Sequence, residues 1–370
     1  MTEKILISER KSEKRSGDFL LLFSVIALSL IGLAFVYSAS KYSAKSTYGD
    51  EFFFAKKHLV GLIGGYAAMT FGCFFDYRKY RKFAVFILAT AIVLLCLVFT
   101  PLGYENYGAT RWIKLAGITV QPSEVAKICF VMFSASYFSA NPGRAKSFLG
   151  CLPVIAAGGT ICLLVILEPN MSITVCFGLL TLSVLFVAGM KTRHFLFILI
   201  PAVVAVPLLI VAEPYRLNRL SAFLNPWASP KGEGYQLLQS LYALGSGGFF
   251  GVGFLHSRQK LRFLPFSESD FILAVIGEET GFIGLVVLFA LIAFVIVRGI
   301  KIAVEAKDYF GYLLAAGISC VFGIQSIVNA LVVTGSIPPT GLPLPLVSAG
   351  NTSLIVFLFS FGILYNISKN

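Results

Sequence analysis

This sequence predicts an all-α polytopic membrane protein with about ten transmembrane helices and a long extracytoplasmic loop between the seventh and eighth. Three observations lead there. Hydrophobic residues make up 57% of the chain and charged residues only 13%, where a soluble domain carries about 25% charged residues. Several uncharged stretches reach the roughly 20 apolar residues that a helix needs to cross a hydrocarbon core. Lys and Arg also concentrate in alternate connections between those stretches, which is how a fixed topology reads. A membrane β-barrel would show weak alternation over segments of about ten residues instead.

In order, the spans are expected at 19–39, 58–75, 83–100, 123–139, 149–167, 171–189, 195–212, 271–297, 310–333 and 350–366. No small-residue cleavage site follows the first, so it is an anchor rather than a cleaved signal. With the N-terminus in the cytoplasm, the inner segments hold Lys4, Arg10, Lys11, Lys14 and Arg15, then Arg78, Lys79, Arg81 and Lys82. They also hold Arg144 and Lys146, Lys191 and Arg193, Arg298, Lys301 and Lys307, and Lys369. The short outer connections hold fewer cations. The loop 213–266 holds more, but long loops weigh little in orientation. An even number of spans returns the C-terminus to the cytoplasm. The expected organisation is a cytoplasmic tail 1–18, one membrane domain 19–366 and a cytoplasmic tail 367–370. The net charge of +12 is then a topology signal aided by anionic headgroups, not a nucleic-acid footprint. The seven cysteines form no CxxC pair and read as small apolar packing residues. No metal site is expected from them.

Charge within a span is costly and marks function by default. Glu124 and Lys127 stand at i, i+3 on one face of the fourth span. They either lock helix packing as a self-neutralising pair or line a polar cavity. Upstream, Arg111 and Lys114 flank Trp112 at the outer interface, where two cations suit a phosphate. Ser123 after Pro122 reads as a helix start. Glu168-Pro169-Asn170 joins two spans almost without a loop; a carboxylate in so tight a turn faces either the outer interface or a cavity, and simple turn chemistry is the plainer reading.

The loop 213–266 mixes glycines, aromatics and cations beside a membrane surface. Arg216, Arg219 and Lys260 are its candidate anion ligands, and its glycines let backbone N–H groups approach an anion closely. It suits a phosphorylated or lipid-linked headgroup. A mobile amphipathic connector is the plainer alternative. Asp270 follows at the outer mouth of the eighth span. The helix dipole would stabilise its charge, while burial would oppose it. The last outer connection, Pro338–Ser353, is stiffened by proline and gathers small hydroxyls, Ser348 among them. Backbone at that depth must be buried or line a cavity.

Taken together, these motifs resemble the SEDS family of bacterial envelope proteins, which includes FtsW, RodA and SpoVE. The matching stretches are Gly108–Trp112, Gln121–Glu124, Arg216–Arg219, Asn225–Trp227, Gly234–Gln239, Ala243–Gly253, Ser257–Lys260, Leu264–Glu279 and Pro338–Ser353. They run in order over most of the chain. Tyr235 through Lys260 looks more like the FtsW/SpoVE branch. The chain departs from the family pattern in three places: Ser269 where Thr is usual, Asn170 where aspartate is frequent, and Ala349-Gly350-Asn351 where Tyr-Gly-Gly usually follows the serine. The last two suggest a specialised paralogue, for example one serving sporulation rather than division.

The resemblance implies a peptidoglycan glycosyltransferase that polymerises lipid II at the outer face of the bacterial cytoplasmic membrane. It would work beside a class B penicillin-binding transpeptidase and other division or sporulation proteins. The family's essential aspartate falls on Asp270, and its fourth-helix pair on Glu124 and Lys127. Asp270 is then expected to act as the base. Arg111, Arg216, Arg219 and Lys260 would hold the diphosphate. A divalent cation (Mg or Mn) would arrive on the diphosphate, without a protein-only metal cage. A lipid II flippase and a non-catalytic scaffold for the transpeptidase are the competing classes. The concentration of polar motifs on the outer side argues against a flippase, which must also load from the cytoplasm.

Overall fold

The computed structural model describes residues 16–106, 109–115, 118–211 and 213–370. Ten long helices there stand where ten spans are expected. They are α1 (Phe19–Tyr48), α2 (Phe53–Phe74), α3 (Arg78–Leu97), α4 (Pro122–Ala140), α5 (Phe148–Leu167), α6 (Met171–Val187), α7 (Thr192–Val211), α10 (Ile272–Val304), α11 (Tyr309–Val333) and α12 (Asn351–Lys369). Six of them, α1, α3, α5, α10, α11 and α12, are long and apolar enough to cross a bilayer by length and composition. α2 carries Lys56 and Lys57, and α4 carries Glu124 and Lys127, which lowers the hydropathy of both. The expected tail 367–370 is instead the last turn of α12, and α1 runs nine residues beyond its expected end. Gly49, left-handed at φ 74°, stops α1 by returning its N–H to Lys45.

Small residues set the helix spacing. α2 and α12 pack along their length, and a Cβ at Gly362 would stand 2.2 Å from the Met69 carbonyl. Such close backbone approach is how helices associate where lipid removes the hydrophobic drive. At the centre, α4, α6, α11 and α12 bury Phe130, Phe177, Phe322, Phe357 and Phe361. Phe83, Val85 and Phe86 on α3 face outward and exposed, as a lipid-facing surface requires.

The bundle's two ends are tied by separate sets of contacts. At one end Tyr77 donates to Asp308, the Tyr77 N–H to Asn366 (3.0 Å), and Tyr309 to the Ala188 carbonyl (3.1 Å). Arg298 pairs with Asp18 there at 2.6 Å. At the other end stand the sheet, the 168–172 turn, residues 213–271 and residues 334–350. Most residues expected to be functional fall at this second end.

Two features there differ from the sequence expectation. The segment after α3 folds into a three-stranded antiparallel sheet, β1 (Gly103–Asn106), β2 (Ala109–Leu115) and β3 (Ile118–Val120). The long loop contains two helices, α8 (Pro214–Leu224) and α9 (Tyr235–Gly247). Pro214 suits the first turn of α8, where no amide hydrogen is needed. In α9, Leu237, Ser240, Ala243 and Gly247 recur at helical spacing and are buried, and α9 packs on α10.

α10 itself is broken at Gly281 (φ 68°, ψ −168°), a conformation open essentially to glycine alone. The break leaves backbone groups unpaired, and residues 248–253 supply partners. Val252 and Gly253 donate to the carbonyls of Glu278 and Glu279, both at 3.0 Å, and Phe282 donates to the Gly248 carbonyl at 2.9 Å. Irregular backbone at this depth survives because protein satisfies it.

Candidate active site

Asp270 is half-buried one residue before the cap of α10. Burial raises its pKa to about 6 and the neighbouring Glu268 adds to the rise, while Arg111 and Arg219 pull it down. Two guanidinium groups therefore act on this carboxylate across space. The strand explains why one of the predicted cations is among them and its neighbour is not. Alternate residues of β2 face opposite ways. Arg111 shares a face with buried Ile113, whereas Lys114 points away, exposed over the Tyr104 ring at 5.2 Å.

Arg111 also holds the 168–170 turn. Its Nε donates to the Glu168 carbonyl at 3.4 Å and its Nη2 to the Pro169 carbonyl. Arg219, on α8, donates to the Pro339 carbonyl at 3.3 Å, and Ser172, on α6, donates to the Thr340 carbonyl. The sheet, the α6 turn, α8 and the proline-rich connection thus converge on Asp270. Gly341 closes the ring. It is left-handed (φ 71°), and a Cβ there would stand 3.2 Å from Asp270 Oδ2.

Ser348 does not present its hydroxyl to a ligand. It accepts from the Leu344 N–H (2.8 Å) and donates to the Ser269 carbonyl (2.6 Å). The Ala349 N–H donates to the Glu268 carbonyl at 2.9 Å. Ser348 is therefore a clamp on the two residues that precede Asp270.

The Glu124–Lys127 pair is fully buried in α4, at 2.8 Å, and Lys127 also donates to Gln325 on α11. One Glu124 oxygen has no partner. Lys260 is not brought to Asp270. It is 5% exposed and its ammonium is committed to Glu279 (2.7 Å) and Ser38 (3.0 Å), so its expected place as an anion ligand is corrected to an internal ion pair. The glutamate beside it, Glu278, accepts from Ser257 and from the N–H of Arg258 (2.9 Å), anchoring the 257–260 turn. Arg216 lies on α8, but its side chain falls outside the described residues, as does Gly108.

The sequence singled out Glu168 but favoured simple turn chemistry over a place in the site. Its carboxylate is 1% exposed, both oxygens lack a hydrogen-bond partner, and burial raises its pKa to about 8 against the opposing charge of Arg111. Glu268, next to the aspartate, was passed over; burial raises its pKa also. Among the described residues no three His, Cys, Asp or Glu side chains gather as a metal cage.

The geometry can be set beside known proteins. Residues 19–370 match the FtsW/RodA/SpoVE family of cell cycle proteins. The chain is 41% identical over 360 residues to a probable peptidoglycan glycosyltransferase FtsW of Trichlorobacter lovleyi, covering 95% of this chain and 93% of that one. It is 38% identical to the stage V sporulation protein E of Bacillus subtilis, covering 97% and 98%. A chain of a peptidoglycan synthase complex, described as coordinating polymerization and crosslinking, superposes with TM-score 0.79 at 27% identity over 95% of this chain and 98% of that one. The rod shape determining protein RodA of Thermus thermophilus shares the fold, with TM-score 0.71 at 24% identity over 95% and 97%. The chain belongs to the FtsW/RodA/SpoVE family.

Proposed function

We propose that this protein is a peptidoglycan glycosyltransferase that polymerises lipid II into glycan strands at the outer face of the cytoplasmic membrane. One observation carries the proposal beyond the names of its relatives. A half-buried aspartate stands under the influence of two arginines at the end of the bundle where the loop helices gather. We assign that end to the outside and both termini to the cytoplasm, on the distribution of Lys and Arg.

Glycosyl transfer from a lipid diphosphate needs a base and a cationic seat for the leaving group. With a pKa near 6, Asp270 is mostly ionised at neutral pH yet basic enough to take a proton. It would accept the proton of the acceptor's 4-hydroxyl as that oxygen attacks the donor's anomeric carbon. The bond to the diphosphate breaks on the opposite face, inverting α to β. Arg111 and Arg219 would stabilise the negative charge that grows on the departing diphosphate. A divalent cation, Mg or Mn, belongs to the substrate's diphosphate in this scheme, and no step depends on a protein metal site. The synthase complex matched above supports a transpeptidase as the partner that crosslinks the product. We assign Glu124 and Lys127 to the support of the site rather than to contact with lipid II.

The test is polymerisation of purified lipid II by the wild type and by Asp270→Asn, each with its transpeptidase. Glycan strands from the wild type alone are expected. Strands from both would end the role given to Asp270. Strands from neither, with Mg and Mn varied, would move the protein to flipping or scaffolding.

A further inference from the structure

α11 carries two buried amides one turn apart, Gln325 and Asn329, both fully shielded from solvent. Each is bound to the segment that closes on Asp270. Asn329 Nδ2 donates to the backbone carbonyl of Asp270 (2.9 Å) and to that of Leu342 (2.7 Å). Gln325 Nε2 donates to the Pro343 carbonyl (3.0 Å), and its Oε1 accepts from Lys127. The amide orientations follow from chemistry. Carbonyl acceptors can be met only by the NH2 end, and an ammonium only by the oxygen end.

These bonds form one chain from α4 through α11 to the proline-rich connection. The Glu124 carboxylate holds the Lys127 ammonium, and Lys127 fixes which way the Gln325 amide faces. Gln325 and Asn329 then hold consecutive carbonyls of the proline-rich connection, at Pro343 and Leu342. Those two residues follow Gly341, where an added Cβ would stand 3.2 Å from Asp270 Oδ2. Asn329 ties the same connection directly to the main chain of Asp270. Neither amide can reach substrate itself.

We propose that Asn329 and Gln325 are positioning residues for the transfer reaction. Asn329 fixes the height of the Asp270 carboxylate relative to Gly341. Gln325 does so at one remove, and the buried Glu124–Lys127 pair acts on the site by setting the Gln325 amide. The inference rests on the glycosyltransferase reading above. It gives the intramembrane pair a route to the chemistry that involves no contact with lipid II.

Asn329→Leu and Gln325→Met remove the donors while keeping approximate size. The full-length proteins, each with its transpeptidase, would be assayed for kcat and KM with lipid II between pH 5 and 9, and melted in the same detergent. A misplaced general base lowers kcat about tenfold or more in Asn329→Leu, with KM within about twofold, because substrate binding surfaces are untouched. The acid limb of the rate profile should move with it. Gln325→Met should shift both in the same direction by less. If Asn329→Leu does not fold, Gln325→Met decides. Folded variants that melt lower yet keep wild-type kcat and acid limb would overturn the proposal, as would a change in KM alone. Asp270→Ala in the same assay separates the two failures. Polymer from that variant sinks the base assignment, whereas silence from it with full activity from the amide variants sinks only the positioning role.

Discussion

At the scale of single residues, the site is a balance of charges around one carboxylate, and that makes signs predictable. The pKa of Asp270 lies near 6, raised by burial and Glu268 and lowered by Arg111 and Arg219. A base must be ionised, so polymerisation should rise with pH through about 6. Removing Glu268 as Glu268→Gln takes away a raising influence and should move that acid limb down by about half a unit. Arg219→Ala takes away a lowering one and should move it up, while also weakening turnover through the lost diphosphate contact. Opposite shifts in the two rate profiles are the expected result. Glu168 gives a separate prediction about stability. Its folded pKa of about 8 exceeds the ordinary glutamate value of 4.5. The stability it lends is therefore full below pH 4.5 and lost as pH rises through 8. Glu168→Gln, which mimics the neutral acid, should melt at a higher temperature than wild type at pH 8. The difference should amount to a few kcal/mol and close near pH 4.5.

Elements were legible in the sequence to the extent that lipid demands them. Ten apolar stretches became ten helices because a backbone in hydrocarbon has few alternatives. The sheet over 103–120 was not legible, since its strands are only 4, 7 and 3 residues long. Arg111 was found as a phosphate candidate, but only the strand's alternation separates it from Lys114. α8 and α9 were hidden within a segment whose glycines and cations read as loop. The connection 338–349 was recognised as rigid, yet its partners were not: they are buried amides on the preceding helix α11 and the 266–271 turn some 79 residues away. Gly341 tests that element. Any side chain there meets both the left-handed backbone and Asp270 Oδ2 at 3.2 Å. Gly341→Ala should cost about 1–2 kcal/mol of backbone strain and reduce kcat about tenfold or more by displacing the base. Wild-type turnover from a folded Gly341→Ala protein would show that the connection does not constrain Asp270.

For the whole molecule, the question is which charges serve the reaction and which hold the bundle together. Sequence alone placed Lys260 with the diphosphate ligands, because a cation in an outer loop beside a membrane looks available. The fold instead puts its stem through the gap between α1 and α10, where Ser38 and Glu279 meet it at a site with almost no solvent. That cluster fastens the first helix to the broken one, and it steadies the 257–271 stretch that delivers Asp270. Lys260→Met should therefore act through stability. Leaving Glu279 buried and unpaired costs roughly 3–5 kcal/mol, whereas the double replacement Lys260→Met with Glu279→Met should recover much of that loss. Arg219→Ala, by contrast, should leave melting within about 1 kcal/mol of wild type and lower turnover instead. Melting and kinetics of the same four proteins separate the roles. If Lys260→Met kept its melting temperature and lost turnover as Arg219→Ala does, Lys260 would belong to the diphosphate seat after all. The burial of its ammonium predicts the reverse, because a group already surrounded by its own protein's carboxylate and hydroxyl has no face left for a substrate.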